Sequence, residues 1–345
     1  MGTLQWGISG TISGLQNNQQ GNSIAAALAT ANQGGAAPTP SSTGLAATSG
    51  VLWHDTTNNL LKLRDQADAT WMTMAAVDET NKVVVSQHGG CRFLFGSATS
   101  VALKPYNGNG IRINGAFYSI PPGGVTSGNT GAFVSGVAGT TLAASTAYLV
   151  YLFNNAGTPA LDFWPLSGGH VTDGSAGNVG VEVRNNAGSP DSTRTLIGAV
   201  VTNASGQFVD SSSTQGVASW FNRRRRSVTS GAFTSSISSN PPVVLANSTV
   251  LVFVWSDALE IDASFTGFAT IASASFEAIT LIGLNGVGQG SGTANDMASS
   301  PNQYNMSLGQ AIVPSAEGQF SVQTMGSIGG STVTWQGATF AITAI

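Results

Sequence analysis

Charge is scarce in this chain. Lys, Arg, Asp and Glu make up only 8% of its 345 residues, against about 25% in ordinary soluble proteins, so Ser, Thr, Asn, Gln and Gly must keep its surface wet. None of the four occurs before Asp55, and no Lys or Arg follows Arg226, although six acids do. A surface this neutral has little self-repulsion and favours association, so oligomerisation is expected. A net charge of −4 with an acidic last third argues against binding to nucleic acid or insertion at an anionic membrane, which call for clustered Lys and Arg.

Cysteine is nearly missing as well. Cys91 alone excludes an intrachain disulfide; within Cys91-Arg92-Phe93-Leu94-Phe95 it reads as a half-buried strand thiol. No apolar run approaches the about 20 residues of a membrane helix, and no basic then apolar leader opens the chain, so assembly in the cytoplasm without a secretory signal is expected.

The spacings that carry chemistry are absent too. His54, His88 and His170 stand far apart, outside any metal-ligand pattern, so neither a metal nor a cofactor is expected. No nucleophile elbow and no phosphate-binding glycine loop occur among the 44 glycines. The one dense acidic group is Asp257, Glu260 and Asp262; on a strand the last two share a face, where like charges raise one pKa. A polysaccharide-cutting enzyme needs two carboxylates about 5 to 10 Å apart across a groove. One cluster is not such a pair, and it reads instead as a solvated turn or a weak calcium contact. No catalytic residue is assigned, and the expectation is a protein that is not an enzyme.

What is present is strands and turns. Leu52-Trp53-His54, Leu61-Lys62-Leu63-Arg64 and Trp71-Met72-Thr73-Met74 are separated by Asn- and Asp-rich turn sequences, a small β-meander. Strands so short cannot stand alone in water, so Trp53, Leu61, Leu63 and Trp71 must pack on something else, most simply a partner chain. Upstream, residues 23–33 read as a short helix with Ile24 and Leu28 four apart on one stripe, and residues 36–44 as a Pro/Ser/Thr linker. Trp6, Ile24 and Leu28 join the meander residues as candidate oligomer or attachment contacts.

The Gly50-Val51-Leu52-Trp53-His54-Asp55-Thr56 turn, the Leu61-Lys62-Leu63-Arg64 strand and the Trp71 strand before Asp78-Glu79-Thr80-Asn81 resemble segments near the N-terminus of bacteriophage tail-fibre and head-fibre proteins. Tyr148 to Asn154, Thr193 to Gly198 and Ser219-Trp220-Phe221-Asn222-Arg223-Arg224 follow the order seen in many such fibres. The resemblance implies a virion protein, released by lysis, with a homotrimeric fibre architecture. It further implies an N-terminus attached to tail, baseplate or capsid proteins and host-surface attachment at the other end.

The whole reads as all-β: an attachment segment (1–49), the meander (50–81), a middle β-domain (82–226) and a C-terminal sandwich of jelly-roll type (227–345), intertwined as a homotrimer. Arg112-Ile113-Asn114-Gly115-Ala116 carries the strongest hairpin signal, Asn-Gly between alternating runs. Arg223, Arg224, Arg225 and Arg226 form the only basic run and read as a domain junction, with phosphate binding or anchoring of the acidic C-terminal unit as the other readings; so many like charges repel unless they splay outward or meet acids, and Asp257, Glu260 or Asp262 could be those acids. Trp255, Phe265, Phe268, Phe276, Phe320 and Trp335 stand at strand positions and read as core. Residues 285–310 read as a long polar loop, in which Asn302, Gln303, Tyr304 and Asn305 present an exposed ring between amides. That is equipment for gripping a saccharide or a protein on a host cell. A capsid decoration protein and a tailspike depolymerase are the alternatives.

Overall fold

The computed structural model describes residues 33–34, 52–56, 60–64, 71–78, 83–85, 88–175, 177–238, 240–271, 276–297, 303–329 and 332–343. The chain divides into two compact units between Gln87 and His88. Among the described residues there is no α-helix, only a 3-10 turn at Leu166–Gly168. The all-β expectation holds. Trp6, Ile24 and Leu28 lie outside the described residues, but Gln33, expected at the end of a helix, is in a strand instead.

In the first unit, β1 (Gln33–Gly34) runs parallel to β2 (Leu52–Asp55), and β3 (Leu60–Arg64), β4 (Trp71–Asp78) and β5 (Val83–Val85) follow antiparallel in sequence order. Leu61 lies half-buried on β3, and Leu63 and Trp71 lie on β3 and β4. Val83–Val85, expected in the middle domain, pairs here with β4. Trp53 is buried and Lys62 lies over its ring, 4.7 Å from Nζ to the centroid. The same Nζ meets the buried Asp55 at 2.7 Å, so a residue read as turn chemistry is an ion-pair partner across β2 and β3.

The second unit holds two β-domains. In the middle one, β6 (Cys91–Ser97), β7 (Ser100–Pro105) and β10 (Val125–Gly128) make a three-stranded sheet, and β8 (Gly110–Ile113) and β9 (Ala116–Ser119) the hairpin. Asn114 and Gly115 turn that hairpin with φ of 49° and 78°, the two left-handed positions that Asn-Gly favours. An eight-stranded sheet follows, made of β11 (Ala132–Val134), β12 (Val137–Thr140), β13 (Ala147–Asn155), β14 (Thr158–Pro165), β15 (His170–Asp173), β16 (Val181–Asn186), β17 (Ser189–Val201) and β18 (Val217–Ser219). Phe93, Leu103 and Ile111 of the small sheets pack on Val150, Leu152, Phe163 and Ile197 of the large one. The thiol of Cys91, expected half-buried, lies wholly inside this core.

β13 is the strand that organises the unit. Tyr148, Leu149, Val150, Tyr151 and Leu152 are apolar at every position and all buried, which a strand shows when both faces of its sheet are covered. One face serves the middle core; the other serves the next domain.

That next domain is a sandwich. One sheet contains β19 (Arg226–Thr229), β20 (Phe233–Ile237), β23 (Ile261–Ile271), β26 (Gln303–Ile312) and β28 (Val333–Thr343); the other contains β21 (Val243–Val244), β22 (Val250–Val254), β24 (Phe276–Leu284), β25 (Val287–Met297) and β27 (Gly318–Ile328). Phe265, Trp335, Ile261 and Met306 from the first meet Val252, Ile282, Val322 and Ile328 from the second. Trp335, fully buried, donates its indole N–H to Thr280 Oγ1 at 3.0 Å across the two sheets, satisfying the one polar atom that its burial would otherwise orphan.

The polar stretch 285–310, expected as a long loop, is strand over most of its described residues. Val287–Met297 pairs with β24, and Gln303–Ile312 pairs with β23 over ten residues. Strand formation here rests on apolar neighbours that supply the ladder, which overrides the weak intrinsic preference of Gly, Ser and Asn.

Candidate functional site

The covered second face of the middle sheet forms a seam with the sandwich. Leu149, Tyr151, Leu196, Ala199 and Ala218 pack there against Phe253 and Trp255, at the end of β22. Trp220, just past β18, meets Trp255 edge to face at 5.0 Å, and Phe253 meets it at 4.9 Å. His170, at the head of β15, lies 5.1 Å from the Trp220 ring.

His170 is also the polar bridge of the seam. Its Nδ1 lies 2.6 Å from Glu182 Oε2 on the neighbouring strand, and its Nε2 3.0 Å from Glu317 Oε2, before β27. Glu317 accepts in addition from Ser256 N at 3.1 Å. Burial opposes a charge on the imidazole, but the bonds to the two carboxylates and their negative charge outweigh it and raise its pKa to about 9. His170 is therefore an imidazolium clamped between two domains. His88 is its opposite: burial, and then the charge of Arg112, lower its pKa to about 4, and its Nδ1 accepts from Arg112 N at 3.0 Å.

The four arginines line the same seam. Arg223 stacks on Trp220, 4.0 Å from guanidinium to ring, and reaches Asp257 Oδ1 at 2.5 Å. Arg225 meets Asp262 at 3.3 Å and Arg226 meets Asp210 at 2.5 Å. Arg224 instead donates to the phenol oxygen of Tyr106. Asp257 and Asp262, two of the three acids that the sequence offers as partners of the arginine run, are thus engaged by it. Glu260 precedes β23 and is exposed, so it does not share a strand face with Asp262 as expected. With Arg92, Phe93, Gln215 and Trp255, the arginines and Asp210 enclose a cleft of about 200 Å³.

The attachment residues read from the sequence fall elsewhere. Asn302 lies outside the described residues. Gln303, Tyr304 and Asn305 open β26, where the pleat sends them to alternate faces. Tyr304, expected as an exposed loop ring, is half-buried and packs against the sandwich core, as does Leu308. Gln303 and Asn305 are exposed on the outer face. The alternation of Tyr304, Met306, Leu308 and Ile312 was the available signal. Tyr106 and Arg92 carried none, because a lone Tyr and a lone Arg say nothing of the arginine run 118 residues away from Tyr106 that they meet.

Among the described residues no group of three or more His, Cys, Asp and Glu is placed to hold a metal, and no helix is long and apolar enough to cross a membrane.

No family model matches the chain, and no curated protein matches it either. Among solved structures it is similar to the VP2 subviral particle of infectious bursal disease virus, at 11% identity and TM-score 0.27 over 86% of this chain. It is also similar to the insecticidal delta-endotoxin Cry8Ea1 from Bacillus thuringiensis, at 9% identity and TM-score 0.25 over 74% of this chain. The chain spans 65% of the first and 51% of the second. Scores at this level carry no argument about function, which is therefore built on the site itself.

Proposed function

We propose that the chain is a non-enzymatic bacteriophage fibre protein: a homotrimer fixed to the virion tail or baseplate through its N-terminal segment, whose C-terminal sandwich attaches to a saccharide or protein on the host surface. The observation that carries this reading is the outer face of the β23, β26 and β28 sheet. Gln303, Asn305, Ser307 and Gly309 from β26 lie beside Thr270, Phe268, Thr266 and Ser264 from β23, with Gln336, Ala338 and Phe340 beyond on β28; Phe268, expected in the core, is half-buried on this outer face. Amides and hydroxyls set between aromatic rings are the chemistry of sugar and protein recognition, and paired strands hold them in fixed register. Two shallow clefts open on this face, one along Thr266, Phe268 and Gln336, the other along Ser264, Gln310 and Phe340.

The acidic cluster supports the same side of the choice against a depolymerase. Asp257 and Asp262 bind Arg223 and Arg225, so their carboxylates tie the two domains together. The experiment is adsorption of the purified full-length chain to bacterial cells, with its mass taken by light scattering. A particle of about 105 kDa, three times the 34.9 kDa chain, that adsorbs saturably and blocks infection supports the proposal. A trimer that ignores every host strain, and that immunogold labelling finds on the capsid, transfers the reading to a decoration protein. Release of oligosaccharide from host glycans, lost in Glu260→Gln, would transfer it to a depolymerase.

A further inference from the structure

Of the five arginines around the seam cleft, three have an acid. Arg223 holds Asp257, Arg225 holds Asp262 and Arg226 holds Asp210. Arg92 and Arg224 form no ion pair among the described residues. Both lie over Tyr106, with guanidinium carbons 5.7 and 5.2 Å from the ring centroid. Arg92 Nε is buried without a hydrogen-bond partner. Burial, then the charges of Arg224 and Arg226, lower the pKa of Arg92. Two guanidiniums sharing one ring repel each other. Stacking on the phenol offsets only part of that cost.

An oxyanion bound by this pair would cancel the repulsion. Planar guanidiniums grip carboxylate and phosphate through two parallel hydrogen bonds. Tyr106 touches both arginines without lining the cleft itself and is 46% exposed, so it offers its ring at the cleft's edge. The cleft, at about 200 Å³, is smaller than the about 300 to 1,000 Å³ that drug-sized ligands occupy. Asp210, Asp257 and Asp262 pair with the arginines, and no Lys or Arg follows Arg226, so a long polyanion would meet repulsion on leaving the cleft. One charged ring fits; an extended nucleic acid or a membrane surface does not.

We propose that this cleft binds an acidic sugar residue, its carboxylate or phosphate held by Arg92 and Arg224 and its ring lying on Tyr106. The site is separate from the outer sheet face, and the inference does not rest on the fibre reading.

Titration calorimetry on the full-length protein tests it with five probes: a galacturonate trisaccharide, glucose 6-phosphate, the neutral galactose trisaccharide, inorganic phosphate and a single-stranded oligodeoxynucleotide. At least one acidic sugar is expected to bind while the neutral trisaccharide does not. Arg92→Gln and Arg224→Gln are each expected to weaken that binding at least about tenfold, as the loss of a charge-assisted hydrogen bond does. Arg184→Gln, at a residue that lies outside the cleft lining and pairs with Asp191, is expected to change it less than about twofold. Arg224 is exposed, so its variant decides the matter even if Arg92→Gln fails to fold. Tyr106→Ala should weaken the sugar more than it weakens inorganic phosphate, since the ring supports the two guanidiniums but only the sugar also lies on it. Inorganic phosphate binding as tightly as either sugar overturns the proposal in favour of a free-anion site. Tighter binding of the oligonucleotide overturns it in favour of nucleic acid. Heat from neither acidic sugar, or an affinity unchanged in Arg224→Gln, overturns it outright.

Discussion

His170 Nε2 meets Glu317 Oε2 at 3.0 Å across the seam, so a single imidazole on β15 fastens the middle domain to the loop that enters β27 of the sandwich. Its pKa is raised from 6.5 to about 9. Because the folded value lies above the unfolded one, the charged bridge contributes fully below pH 6.5, loses strength between 6.5 and 9, and contributes nothing above that. Glu182 is held below its ordinary 4.5, chiefly by hydrogen bonds from His170 and Thr172 that overcome its burial, so its own contribution fades as pH falls through the acid range.

The melting temperature of the His88–Ile345 unit is therefore expected to be highest near pH 5 to 6.5 and to drop towards pH 9, by stability on the order of a few kcal/mol. His170→Gln should lower the maximum and flatten the slope between pH 6.5 and 9. Circular dichroism melts of the whole protein at half-unit pH steps read both. A wild-type curve flat across that interval would sink the idea that the bridge is charged.

Asp162 offers a test of the middle sheet that is independent of pH. Its carboxylate is fully buried and accepts from Arg194 Nε at 2.8 Å, Trp164 Nε1 at 2.9 Å and Gly136 N at 3.1 Å. Arg194→Ala removes the only charge facing it among the described residues and leaves a buried carboxylate uncompensated. A loss of about 3 to 5 kcal/mol is expected in urea denaturation; a loss below about 1 kcal/mol would mean that water already reaches Asp162.

Gly198 on β17 is fixed by close approach. A Cβ there would lie 2.5 Å from Phe93 Cδ1 and 2.6 Å from the carbonyl oxygen of Ala218. The backbone of Ala218 is held by pairing with Ala199, and Phe93 is locked in the core with its N–H on Ser219 Oγ at 3.0 Å. Gly198→Ala should therefore cost about 1 to 3 kcal/mol through overpacking. The substitution Gly139→Ala, where a Cβ meets nothing within 4 Å, isolates the separate cost of its positive φ. Comparable urea midpoints for the two variants would contradict the packing account.

The parts of this fold that can be read from the sequence are those whose physics is local. The Asn114-Gly115 turn and the three meander strands follow from turn chemistry and apolar pattern within a few residues. Strands β25 and β26 do not, because Gly, Ser and Asn become strand residues only when β24 and β23 lie alongside. The seam escapes for the same reason at longer range: His170, Glu317, Trp220 and Trp255 meet only after both domains have formed. The arginine run and two of the acids that hold it, Asp257 and Asp262, are legible as a junction, whereas Asp210 and Tyr106 carry no local signal of meeting it.

Strand β26 separates the attachment proposal from plain packing, because its neighbouring residues face opposite ways. Tyr304 turns towards the core with Met306 and Leu308, while Asn305 is exposed on the outer face, opposite Phe268 of β23. Tyr304→Ala should destabilise the sandwich by about 2 kcal/mol, roughly half the cost of deleting a fully buried aromatic. Asn305→Arg should leave stability within about 0.5 kcal/mol of wild type, since its side chain has room to extend into water. On the host cell the order reverses: a bulky cation among the amides and hydroxyls at the centre of the recognition face both blocks contact and brings in a desolvation cost, so Asn305→Arg is expected to abolish adsorption. Tyr304→Ala, assayed well below its melting temperature, is expected to retain most of it. Urea midpoints and cell-binding isotherms on the same two proteins give the answer. Full adsorption by Asn305→Arg would remove this face from the attachment surface, whatever the protein's place in the particle.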